Sequence, residues 1–139
     1  MTNKDKYYFN KAKEVSKLSD FNKVNIGCVA VYKNIILAKG FNTNKTNPIQ
    51  HLYNQYRDLC WNNGVEPKAG LHAEMMVITK IKDLDIHFNQ VKLYIYREDM
   101  NGNIAMCKPC RACTHAIKDL GIKEIYYTTN KEYKKECIT

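Results

Sequence analysis

The stretch from Val91 to Thr128 restricts the fold most. Leu93 and Ile95 alternate with Lys92, Tyr94 and Tyr96, the period-two pattern of a short strand over Val91 to Tyr96. Pro109 then opens a segment in which Cys113, Ala116, Ile117 and Leu120 recur at helical spacing, and Gly121 supplies a stop. Ile122 to Thr128 reads as another strand. Strand, helix and strand in that order predict a parallel pair joined by a right-handed crossover. Parallel strands are covered on both faces, so the remaining segments have to supply helices.

They do. Lys4 to Ser19 places Tyr7, Tyr8, Ala12, Val15 and Leu18 about three and four residues apart, which predicts an amphipathic helix. Val24 to Tyr32 is a nearly continuous apolar run, Asn34 breaks it, and Ile35 to Phe41 reads as the returning strand of a hairpin. Pro48 suits the first turn of a helix running to Trp61, ended by Asn62-Asn63-Gly64. From His72 the pattern is helical again, with Met75, Met76, Ile78 and Ile81 on an apolar face. Glu98 to Lys108 reads as loop, and the charged residues after Thr128 as frayed or briefly helical. The economical architecture is one α/β domain over residues 1–139, a mixed sheet with helices on its faces.

Two totals need a chemical account: six cysteines and a formal charge of +8. The start of the chain is polar, without the apolar core of a secretory signal, and no run approaches the ~18 apolar residues of a membrane span. The expectation is a cytoplasmic chain with reduced thiols, which points to metal ligation, catalysis or burial. The charge fits an anionic partner and equally a solvated lysine-rich surface; Lys4, Lys6, Lys11, Lys131, Lys134 and Lys135 read as solubility charges.

Two helix starts carry the chemistry. One holds His72-Ala73-Glu74, the other Pro109-Cys110-Arg111-Ala112-Cys113. An imidazole and two thiolates make a good zinc set. Cys110 and Cys113 are three residues apart, so on a first helical turn both sulfurs can face one point. The positive end of that helix favours thiolate. Three protein ligands leave a fourth position for water, whose pKa zinc lowers toward ~7. Glu74, two residues from His72, is placed to move that water's proton without ligating. Cys107 would make the site a closed, non-catalytic zinc module if it were a fourth ligand, but that reading leaves Glu74 without a task.

His-x-Glu followed by Pro-Cys-x-x-Cys is the signature of zinc-dependent nucleobase deaminases. From Ile26 to Tyr127 the chain resembles the cytidine/deoxycytidylate deaminase superfamily. The resemblance implies a three-layer α/β/α sandwich on a mixed sheet, with zinc on His72, Cys110 and Cys113 and Glu74 as proton shuttle. It implies that Asn42 and the backbone N–H of Ala73 hold the substrate, and that the chain forms a homo-oligomer.

Histidine as first ligand resembles the deoxycytidylate and tRNA-adenosine branches. Lys108 stands where the tRNA branch has Glu, and the long insertion after Asn42 resembles deoxycytidylate-type and phage-encoded relatives. The favoured substrate is a cytosine nucleotide, dCMP giving dUMP and ammonia, with nucleic acid as the alternative. Lys45 and Arg57 in the insertion, and Arg97 at a strand end, are phosphate candidates. The insertion itself reads either as a substrate lid or as a solvated helix with one aromatic face on the sheet. Relatives add a strand and helix beyond the position of Thr128, whereas eleven residues follow it here.

Overall fold

The computed structural model describes residues 1–20, 24–45, 47–53, 55 and 70–138. The order is α1 (Asn3–Ser16), β1 (Asn25–Tyr32), β2 (Ile35–Phe41), α2 (Pro48–Tyr53), α3 (Ala73–Ile81), β3 (Val91–Glu98), α4 (Arg111–Leu120), β4 (Glu124–Thr128) and β5 (Tyr133–Cys137). The strands form one sheet in the order β2-β1-β3-β4-β5. β3 and β4 are parallel, as the strand–helix–strand pattern predicts, and every other pair is antiparallel.

Local chemistry explains the elements. Thr2 caps α1, its hydroxyl accepting from the Asp5 N–H while the Asp5 carboxylate accepts from the Thr2 N–H. The β1–β2 hairpin turns on Lys33 and Asn34, both at positive φ, as a two-residue turn matched to strand twist requires. Gly121 ends α4 in the left-handed conformation.

Strand alternation sorts side chains into two cores. Cys28, Ala30, Leu93, Ile95, Ile125 and Tyr127 face α3 and α4. Val29, Val31, Tyr94, Tyr96 and Tyr126 face α1 with its Tyr8, Phe9, Ala12 and Val15. The result is the expected three-layer sandwich.

The tail differs from its reading as frayed or helical. Tyr133 to Cys137 adds an antiparallel edge strand on β4, entered by a turn in which the Thr129 hydroxyl accepts from the Glu132 N–H. The Tyr133 ring stacks on Phe9 at 4.4 Å. An edge strand tolerates charge on both faces, so Lys134, Lys135 and Glu136 hide the strand pattern from a hydropathy reading. The helix expected from Pro48 to Trp61 is present over Pro48–Tyr53; its remaining positions fall almost wholly outside the described residues.

Candidate metal and catalytic centre

The centre forms where the starts of α3 and α4 meet. Gly40 makes the approach of α3 possible: a Cβ there would lie 2.5 Å from the Ala73 carbonyl oxygen and 2.8 Å from Val77 Cγ2. An isolated bridge from Thr43 to Leu71 fixes the chain just before α3. His72 is the N-cap of α3 and Cys110 the N-cap of α4, with Cys113 three residues further on. Pro109 therefore precedes the helix rather than opening it, and the two cysteines straddle its positive end.

His72 Nδ1 lies 3.3 Å from Cys113 Sγ and 3.6 Å from Cys110 Sγ. All three donor atoms lie within 4.8 Å of one another. Zinc bonds of about 2.0 Å to nitrogen and about 2.3 Å to sulfur, at tetrahedral angles, put such a nitrogen and sulfur about 3.5 Å apart. The donor set therefore fits zinc in both chemistry and spacing. The two sulfurs differ in acidity, Cys110 shifted down and Cys113 up. A hydrogen bond from the Cys113 thiol, helped by the His72 ring, pulls Cys110 well below the usual thiol range despite burial. Cys113, hydrogen-bonded to that sulfur and fully buried, is pushed up. Two adjacent thiolates need a shared positive charge, which a divalent ion supplies.

Glu74 sits in the first turn of α3, only 4 % exposed. Burial raises its pKa, partly offset by the neighbouring His72 ring. A carboxyl so placed beside three metal donors is chemically suited to holding and releasing a proton.

The sequence candidates fare unequally as positions. Ala73 is buried, and its N–H is among the first in α3, which have no partner within the helix. Asn42 is a buried brace: its side-chain oxygen accepts from the Ile26 N–H at 2.9 Å, and its nitrogen donates to the Val24 carbonyl at 2.7 Å. A substrate contact there would use its second N–H or second lone pair. Lys45 lies on the loop against Leu71, whose N–H donates to the Lys45 carbonyl. Arg97 Nη1 donates to the Met106 carbonyl at 3.0 Å, while its buried Nε has no partner among the described residues. Arg57 lies outside the described residues.

Cys107 stays apart from the donor cluster. Its thiol donates to the Ile95 carbonyl at 3.4 Å and sits 3.1 Å from Thr128 Oγ1. Burial pushes it up to about 12, opposite to a ligating thiolate. Thr128 is the hub of this loop. Its hydroxyl donates to the Ala105 carbonyl at 2.7 Å and accepts from the Arg97 N–H at 3.2 Å.

Gln50 carries no role in the sequence reading. In the fold its side chain is fully buried, and Oε1 accepts from the His72 backbone N–H at 2.9 Å. No sequence signal marks this partnership, because the two residues are 22 apart and join only when α2 packs beside α3.

Comparison with known proteins agrees with this geometry. The family model for the cytidine and deoxycytidylate deaminase zinc-binding region matches residues 2–129. The chain belongs to that family. Among curated proteins, a tRNA-specific adenosine deaminase subunit of Schizosaccharomyces pombe (strain 972 / ATCC 24843) is 30% identical over 126 residues, covering 86% of this chain. The chain spans 24% of that relative's length. Two solved structures share the deaminase fold. The dCMP deaminase from the cyanophage S-TIM5 has a TM-score of 0.61 at 23% identity, covering 91% of this chain and 84% of that one. The cytidine deaminase from Mycobacterium leprae has a TM-score of 0.55 at 18% identity, covering 97% and 94%. Zinc is the metal that the family and the donor set of His72, Cys110 and Cys113 jointly indicate.

Proposed function

We propose that this chain catalyses hydrolytic deamination of a cytosine nucleotide, dCMP to dUMP with release of ammonia. The observation that carries the reading is the convergence of His72, Cys110 and Cys113 beside the buried carboxyl of Glu74. His72 Nδ1 and the two sulfurs would hold zinc. Bound there, zinc supplies a Lewis acid that makes water nucleophilic near neutral pH.

Glu74 accepts a proton from water as its oxygen attacks C4 of the base. It returns that proton to the ring nitrogen next to C4. The C4 hydroxyl proton then reaches the amino group by the same carboxyl, and the C–N bond breaks to give ammonia and a C4 carbonyl. Burial raises the pKa of Glu74, the direction that favours a carboxyl able to hold a proton beside the reacting base. The Ala73 N–H orients the base, Asn42 offers its remaining amide hydrogen, and Arg97, Lys45 and Arg57 are the phosphate candidates.

A second reading, deamination in a polynucleotide, is favoured by the 30% identity to a tRNA-specific adenosine deaminase subunit. An ammonia-release panel separates the two, using dCMP, dCTP, deoxycytidine, single-stranded DNA and RNA. Turnover of dCMP supports the first reading. Turnover of oligonucleotides with none of mononucleotides overturns it.

A further inference from the structure

An open groove of about 890 Å³ lies on the α1 side of the sheet. Its lining includes Lys4, Lys33, Lys92 and Lys135, all exposed, with Tyr94 and Tyr126 in the floor. The four lysines come from four separate segments: the start of α1, the β1–β2 turn, the start of β3, and β5. The sequence therefore presents them as unrelated charges, and only the sheet order collects them. β5 brings Lys135 beside β4, and the positive-φ hairpin turn places Lys33 above the start of β3.

Positive charge prevails there. Lys92 and Lys135 share one carboxylate, Glu124, at 3.9 and 3.8 Å. Lys4 donates to the neutral Asn34 side chain, and Lys33 lies over the Tyr32 ring. Asp5 is the acid among the described lining residues, and its oxygens already accept from the Tyr94 hydroxyl at 2.6 Å and the Thr2 N–H at 3.1 Å. Among the described residues, four lysines thus face two carboxylates, both engaged.

The groove offers charge without base recognition. Tyr94 and Tyr126 stack on each other at 4.4 Å and are buried, so neither presents a ring face to a base. Among the described residues, no arginine lines it. Lysines are point charges that suit repeated phosphates rather than one oriented ligand.

It is also remote from the metal donors. Along β1, Ile26 pairs with Arg97 at the metal end and Val31 with Lys92 at the groove end. Those five residue steps span about 17 Å. The groove opens in the α1 layer, whereas His72 and Cys113 belong to the α3–α4 layer.

We infer that this groove is a docking surface for the phosphodiester backbone of a nucleic acid, bound independently of sequence and apart from the catalytic centre. The inference does not depend on which base the centre deaminates. Binding is read without turnover, so its failure and the failure of the proposed activity are separate results.

The test measures affinity for a long mixed-sequence single-stranded DNA as a function of salt. One variant carries Lys4→Gln, Lys33→Gln, Lys92→Gln and Lys135→Gln. A control carries Lys17→Gln, Lys82→Gln, Lys118→Gln and Lys123→Gln, four exposed lysines outside the groove lining with the same change in net charge. The slope of log affinity against log salt is expected to lose up to about 3 in the groove variant, four contacts at about 0.7 each. The control is expected to keep the wild-type slope. Equal loss in both variants, or no measurable binding by the wild type, would overturn the inference. So would inorganic tripolyphosphate binding the groove as tightly as the DNA, which would mark a small-anion site.

Discussion

Replacing Gln50 tests how the fold holds the metal ligands. Gln50→Leu keeps roughly the same bulk in a fully buried position and removes the acceptor of the His72 N–H. A buried donor left unpaired costs about 1–3 kcal/mol. Because that donor belongs to a metal ligand's own backbone, part of the cost should appear in zinc affinity. Loss of an outer partner to a ligand typically weakens binding about 10–100-fold, or about 1.4–2.7 kcal/mol. Gln50→Ala adds a cavity and should cost more, about 3–5 kcal/mol in stability. Zinc affinity is read by competition with a chromophoric chelator, and stability by denaturant unfolding of the metal-loaded protein. A Leu variant that binds zinc as tightly as wild type, with an unchanged denaturation midpoint, would refute the reasoning.

Other expectations follow from single contacts. Gly40→Ala would set a Cβ against the Ala73 carbonyl and Val77, forcing α3 outward; a loss of about 1–3 kcal/mol in denaturant unfolding is expected, with weaker zinc binding. Cys107→Ala should leave the zinc content measured by elemental analysis unchanged, because its sulfur faces Ile95 and Thr128 rather than His72. Burial, with Glu124 nearby, pushes Tyr126 up to about 12. The folded state therefore holds that proton more tightly than the unfolded chain, whose tyrosines titrate at about 10. The resulting stability is fully present below pH ~10 and is lost as pH rises toward ~12. Tyr126→Phe should flatten this part of a melting-temperature profile against pH.

The strand–helix–strand unit was legible because Val91–Tyr96 and Ile122–Thr128 are rich in β-branched and aromatic residues and flank a helical pattern bounded by Pro109 and Gly121. The metal donors were legible because their spacing, and not their distance in space, encodes the first helical turns. β5 was not, since an edge strand needs no apolar face and Lys134-Lys135-Glu136 reads as tail. Nor was the bracing role of Asn42. The family resemblance marks it as a substrate contact, whereas its bonds to Val24 and Ile26 depend on the register of β1 and β2. The groove lysines show the same limit: residues 4, 33, 92 and 135 meet only through topology. Glu74 and Gln50 are both buried near His72, yet only Glu74 lies close enough in sequence to be noticed.

The most direct test of the account compares wild type with Glu74→Gln, both loaded with zinc, for ammonia release from dCMP. The substitution keeps the side chain's shape and removes its capacity to carry a proton. Glu74→Gln is expected to keep wild-type zinc content with turnover reduced at least about 10²–10⁴-fold. Turnover of dCMP by Glu74→Gln at the wild-type rate would contradict it.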